Sequence, residues 1–388
     1  MELINDFFAN LMDWLGNWLL TFLPFWAMRL IIDFLVIVVI LGFAIVIVLF
    51  LTWMERKVLA RIADRIGPNR QGPFGLIQPF ADAIKMLIKE DITPTTADYW
   101  LFNLAPIIIM APALLVYAVI PFGPRMFLTD LNVGILYMVA LGSITSLSML
   151  VAGWGSDNKY ALLGAFRSVA QLVSYEVPMV LVIVSVAMMV GSLSMVKIVA
   201  NQDIPFALLM PVAFAIYLTC AAAEAGRSPF DLLEGESEIV AGYFIEYSGM
   251  KFAMFYLAEY INLFTVSAIC TTLFLGGWKG PILPPYLWFL IKTFAVIFTL
   301  MWIRGTWPRF RIDQMLDVAW KVLVPLSLVN ILLVGVVIKL TANQWVWLAI
   351  LLPANILLGL VTLIVLGRVQ NRRLARAREL AAQGWAHS

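Results

Sequence analysis

Carboxylates are the residues of this chain best placed to do chemistry. Glu224, Asp231, Glu234, Glu236, Glu238, Glu246 and Glu259 put seven of its 24 acidic residues between positions 224 and 259, opposed there only by Arg227 and Lys251. Long apolar runs flank the stretch on both sides. Acids so grouped beside a membrane exchange protons. Glu234 and Glu238 are four residues apart, so on a helix they repel, and one of them is expected to keep its proton near neutral pH. Glu176 and Glu259 interrupt apolar runs on their own, where a carboxylate is costly and marks ion or proton movement. Arg167, Gln171 and Ser174 fall on one helical face just before Glu176. A second group, Trp307-Pro308-Arg309-Phe310-Arg311 with Asp313, mixes arginine with aromatic rings. It suits either an interface anchor or the mouth of a site for a ligand with an oxygen-bearing ring, because arginine donates directional hydrogen bonds.

The elements that position these groups span a membrane. Of 388 residues, 62% are hydrophobic and 13% charged, beyond what a soluble domain carries. Nine apolar stretches approach the roughly 20 residues of a transmembrane helix: 34–54, 99–124, 131–156, 168–196, 204–223, 252–278, 280–303, 322–338 and 340–367. The expected fold is an all-α, polytopic membrane protein of about nine such helices plus interfacial amphipathic ones. Alternate loops hold 20 of the 26 Lys and Arg, which places them, and the C-terminus, in the cytoplasm and the N-terminus outside. Residues 1–29 read as an aromatic-rich interfacial segment, 30–367 as one transmembrane domain with cytoplasmic loops 55–98, 153–167, 224–251 and 304–321, and 368–388 as a basic cytoplasmic tail. Two Gly-Pro turns in the first of these loops precede an amphipathic helix. It sets Ile77, Phe80, Ala81, Ile84, Leu87 and Ile88 against Gln78, Asp82, Lys85 and Lys89.

The chain has one histidine, His387, and two cysteines, Cys220 and Cys270, each inside an apolar run. That is too few ligands for haem, copper or an iron–sulfur cluster. Any electron transfer therefore needs redox centres in another subunit, and the cysteines are expected to pack rather than bridge.

Read together, Glu55-Arg56-Lys57, Gly67-Pro68-Asn69, Gln78-Pro79-Phe80-Ala81-Asp82, Ser174-Tyr175-Glu176, Glu224 with Arg227-Ser228-Pro229-Phe230-Asp231, Glu234-Gly235-Glu236-Ser237-Glu238, Glu246-Tyr247, Glu259-Tyr260 and Arg309-Phe310-Arg311 resemble one family over about residues 30–340. It is the family of respiratory complex I membrane subunits that join the peripheral arm to the membrane arm, the H-type subunits of the bacterial NADH:quinone oxidoreductases. The resemblance implies a quinone tunnel lined by Arg56, Phe80, Asp82, Ala83, Lys85, Phe230 and Arg309. It also implies an acidic path through Glu176, Glu224, Glu234, Glu236, Glu238 and Glu259 that couples quinone reduction to proton translocation. Glu55, Arg167, Gln171, Arg227, Asp231, Glu246 and Arg311 would support the loops.

By the same resemblance ubiquinone or menaquinone is a substrate, this chain binds no cofactor or metal, and NADH, FMN and iron–sulfur clusters belong to partner subunits. The partners would be the peripheral-arm subunits that hold the quinone head and terminal cluster, the small membrane-arm subunits, and lipids of a bacterial inner membrane, with no nucleic acid. The anchor subunit of a membrane-bound hydrogenase shares many of these motifs. A proton-coupled transporter would usually show an internal repeat, and none is visible. A scaffold whose acids bind partner loops leaves Glu176 and Glu259 unexplained.

Overall fold

The computed structural model of the chain describes residues 7–231, 241–341 and 344–385, with side chains described from 10 to 368 within those ranges and at 371. Glu234, Glu236 and Glu238 lie outside the described residues. The described residues are helices and turns, with no strand beyond an isolated bridge between Gly123 and Met126. In chain order the helices are α1 (Phe7–Leu20), α2 (Phe25–Ile62), α3 (Gln78–Ile88), α4 (Tyr99–Leu115), α5 (Gly134–Gly155), α6 (Lys159–Val190), α7 (Met195–Ala200) and α8 (Phe206–Leu209). They continue with α9 (Pro211–Glu224), α10 (Gly249–Phe274), α11 (Pro285–Thr306), α12 (Ile312–Val318), α13 (Val324–Leu340) and α14 (Gln344–Trp385). A π-helical turn at Ala319–Leu323 joins α12 to α13. Eight helices among the described residues are long and apolar enough to cross a membrane, so the chain is an all-α polytopic membrane protein. Both cysteines are buried and free.

The fifth apolar stretch departs from its hydropathy reading. Proline at 205 and 211 divides it, because proline removes a backbone donor and starts helices rather than continuing them. The result is α8 followed by the 14-residue α9. At 1.5 Å per residue, α9 is about 21 Å long, short of the roughly 30 Å hydrocarbon core. Glu224, assigned by hydropathy to a loop, is its last residue.

Helix ends elsewhere also extend past the apolar runs. α2 reaches Ile62 and carries Glu55 and Arg56, and α6 starts at Lys159, which makes Arg167 helical and leaves only residues 156–158 between α5 and α6. Asn158 starts α6 by accepting from the Tyr160 amide at 2.9 Å, a cap that satisfies one orphan donor. Hydropathy marks where charge stops, whereas helices end where caps and turns stop them.

Beyond α9 the chain runs through 225–231 as a short segment without helix, largely buried in the protein, as non-helical backbone in a membrane protein requires. Its polar groups find partners. Gln171 on α6 donates from Nε2 to the carbonyls of Ala223 and Phe230, both at 2.8 Å, and the Phe310 amide donates to the Pro229 carbonyl at 3.0 Å. After the undescribed residues, Gly242 packs directly on Gly164 of α6, and a Cβ added at 164 would lie 2.7 Å from the Gly242 Cα. Tyr247 stacks on Phe102 with ring centroids 4.1 Å apart and donates to that residue's carbonyl at 3.1 Å. Burial raises the Tyr247 phenol above its ordinary range, so it remains a donor. Gly164→Ala is therefore expected to push the 242–248 segment off α6 and destabilise the protein by about 1–3 kcal/mol, the usual penalty of overpacking. The melting temperature of the detergent-solubilised protein checks this.

α1 lies against α2, where Gly16 faces Ile32 and Met28, and its Trp14 and Trp18 are exposed. Aromatic rings so presented suit a membrane–water boundary.

Candidate functional site

Four charged side chains meet where α2, α10, α11 and the segment after α9 converge. Arg304, in the last turn of α11, contacts Glu55 Oε1 through Nη1. Arg227 Nη1 lies 3.6 Å from the same Glu55 oxygen and 3.3 Å from Glu259 Oε1. The Arg227 guanidinium also sits over the Tyr260 ring, 4.5 Å from its centroid, a cation–π contact. Signs alternate along the line Arg304, Glu55, Arg227, Glu259. The Glu55 and Arg227 side chains are each only 6% exposed, so each needs a counter-charge close by.

Two cavities continue the line into the bundle. One, of about 30 Å³, has Glu259, Glu224, Asn262, Thr145 and Tyr243 in its wall. The other, of about 40 Å³, is lined by Glu224, Glu176, Asn262, Thr145, Tyr217 and Thr265. Glu224, Asn262 and Thr145 border both, so the cavities adjoin. A water needs roughly 10–15 Å³ measured this way, together with polar partners, so each cavity has room for two or three. Polar atoms are there to receive them. Glu224 Oε2 and Thr265 Oγ1 are buried without a hydrogen-bond partner among the described residues. Glu176 Oε1 accepts from Ser143 Oγ at 2.6 Å. No ion pair reaches Glu176 or Glu224 among the described residues, in contrast to Glu259. The arrangement sets three carboxylates in the walls of two adjoining cavities.

The residues assigned to a ligand tunnel fall into two sets. Arg56 and Asp82 form an ion pair at 2.6 Å, and Gln78 donates to Asp82 at 3.3 Å. Gln78 and Asp82 are thereby half-buried, while Lys85 and Lys89 on the same polar side are exposed, as are Ala83, Phe80, Ile84, Leu87 and Ile88. Phe230 is buried between Tyr175 and Phe310, with centroids at 5.0 and 5.7 Å. Arg309 is half-buried, and its Nε and Nη2 have no hydrogen-bond partner among the described residues. The chain neighbour of Arg56, Glu55, meets Arg227, and the Phe310 amide holds the Pro229 carbonyl, so both sets border the same charged cluster.

Of the remaining candidates, Glu246 accepts from Asn158 Nδ2 at 2.7 Å. Arg311 is exposed at the start of α12, where its amide donates to the Gln314 side chain at 3.4 Å. Arg167 and Asp231 are half-buried.

Sequence reasoning missed Arg304, Ser143, Thr145 and Asn262. Arg304 reads as an ordinary interface charge because it ends an apolar run. Asn262 is findable, since it follows Glu259 by three residues and so shares its helical face. No group of three or more His, Cys, Asp or Glu suited to a metal ion occurs among the described residues.

Residues 35–335 match the NADH dehydrogenase family. An H-type subunit of NADH-quinone oxidoreductase from Dehalococcoides mccartyi (strain CBDB1) is 53% identical over 329 residues, covering 84% of this chain and 93% of that protein. An H-type subunit of the same enzyme from Geobacter sulfurreducens is 51% identical over 296 residues, covering 74% and 90%. The counterpart from Carboxydothermus hydrogenoformans is 49% identical over 306 residues, covering 78% and 87%.

Proposed function

The chain belongs to the NADH dehydrogenase family, and we propose that, as a membrane subunit of an NADH-quinone oxidoreductase, it guides a quinone to its reduction site and couples that reduction to proton translocation. The quinone would enter from the bilayer past the outward apolar face of α3, with Arg56, Phe80, Asp82, Ala83, Lys85, Phe230 and Arg309 along its way. Its electrons would come from NADH through FMN and iron–sulfur clusters in the peripheral-arm subunits. The setting is a bacterial inner membrane, with the loop end of the bundle facing the cytoplasm. Residues 1–29 would lie at the opposite interface, and the basic tail 368–388 would fix the C-terminus inside.

Quinone reduction takes up two electrons and two protons to give a neutral quinol, so negative charge would stand beside the Glu55, Arg227 and Glu259 cluster only until the protons arrive. Carboxylates close to such an event exchange protons in response. The line from Glu259 through Glu224 to Glu176 carries the response toward the neighbouring membrane-arm subunits. Glu234, Glu236 and Glu238 would belong to the same acidic path. Glu224 in the wall of both cavities carries this reading, because one of them also has Glu259 in its wall and the other Glu176.

Glu176→Gln tests the far end of that path. In membranes holding the whole complex, it is expected to lower proton pumping per NADH oxidised while leaving NADH oxidation by an artificial acceptor intact. Pumping at the unmutated ratio would remove Glu176 from the path.

A further inference from the structure

The two arginines of the charged cluster address a single oxygen. Arg304 and Arg227 both approach Glu55 Oε1, while Glu55 Oε2 is buried with no hydrogen-bond partner among the described residues. Arg304 is the nearer of the two. Arg227 stands off at 3.6 Å, and the same Nη1 lies closer to Glu259, at 3.3 Å. Its guanidinium rests over Tyr260, the residue next to Glu259 on α10. One nitrogen is thus suspended between two carboxylates. Charge-assisted contacts close at about 2.8 Å, so a shift of roughly 1 Å would commit Arg227 to Glu55.

We propose that Arg304 is a positioning residue that decides which carboxylate Arg227 neutralises. By occupying Glu55 Oε1, Arg304 leaves Arg227 with Glu259. When Arg304 is drawn away, Arg227 crosses to Glu55 and Glu259 loses this cation, which alters the proton balance of the carboxylates beyond it. Of the two cations, Arg304 is the one an arriving group reaches: its side chain is 22% exposed against 6% for Arg227, while Glu259 is 21% exposed. The ligand class that fits is an oxygen-bearing acceptor, for which a guanidinium is a directional donor. The inference rests on the proposed acid path, because only there does the charge state of Glu259 matter to pumping.

The experiment measures protons pumped per NADH oxidised in membranes containing the whole complex, with artificial-acceptor activity as the assembly control, for Arg304→Gln, Glu55→Gln and the charge-balanced double variant. Arg304→Gln is expected to lower the ratio by roughly threefold or more, within the range for coupled neighbours. The double variant is expected to recover the ratio of Glu55→Gln alone, because no carboxylate on α2 then competes for Arg227. Arg304→Lys is expected to pump like the unmutated complex, since only one guanidinium nitrogen contacts Glu55.

A double variant that pumps no better than Arg304→Gln overturns the proposal, as does an unchanged ratio in Arg304→Gln. If Arg304→Gln alone fails to assemble, the double variant decides: a ratio below that of Glu55→Gln overturns the positioning role, and an equal ratio supports it. Loss of pumping in Glu176→Gln with none in Arg304→Gln leaves the acid path standing and removes Arg304 from it.

Discussion

Glu224→Gln is expected to lower quinone-linked NADH oxidation and proton pumping together, by roughly a hundredfold, the low end of what a positioned proton-transfer group supplies. NADH oxidation by an artificial acceptor should be unchanged. The substitution conserves volume, so neither cavity wall collapses. Glu224 Oε2 has no hydrogen-bond partner among the described residues, so no such contact is lost at that atom. What disappears is the titratable group common to both cavities. Glu176 and Glu259 are then separated by a residue that cannot take a proton. Steady-state assays on membranes with each acceptor measure the effect, and retention of both quinone reduction and pumping would show that the cavities are packing defects.

Arg227→Ala should act earlier, on assembly. It removes the cation shared by Glu55 and Glu259, and breaking a buried pair typically costs about 3–5 kcal/mol because an uncompensated charge stays behind. Loss of the contact with Tyr260 adds roughly 0.5–2 kcal/mol. Arg304 still neutralises Glu55, so the larger penalty falls at Glu259 and on the segment that Arg227 anchors. The expected result is a complex that assembles poorly, with quinone and artificial-acceptor activities falling in parallel and a lower melting temperature. Arg227→Lys keeps the charge but loses the guanidinium's several donors, and should assemble with reduced quinone turnover. Normal assembly of Arg227→Ala would show that the cluster is not structural.

The pattern of residues carries the membrane class directly. Apolar runs as long as those within α2, α5 and α10 have few alternatives where charge is scarce. Glu176 and Glu259 are findable for the same reason, since a carboxylate in an apolar run stands out, and Glu224 is findable as the first of the acids grouped after the fifth run. The break of the fifth stretch at Pro211 is written in the sequence, yet hydropathy averages over a proline that ends a helix. Arg304 illustrates the deeper limit. Its type and position at the end of α11 suit any interfacial charge, and only the convergence of α2, α10 and α11 gives it Glu55 as a partner. The ion pair that joins α3 to α2 likewise depends on Arg56 reaching Asp82 across 26 residues of chain. Ser143 and Thr145 are neutral and small in effect on hydropathy, so their place beside the carboxylates emerges only from packing.

The central claim is that quinone reduction changes the protonation of the buried carboxylates. Infrared difference spectroscopy of the whole complex, recorded on quinone reduction with and without Glu224→Gln, tests it most directly. The account predicts a protonated-carboxyl difference band in the unmutated complex that is lost or sharply reduced in the variant. An identical carboxyl band in the two complexes would contradict it.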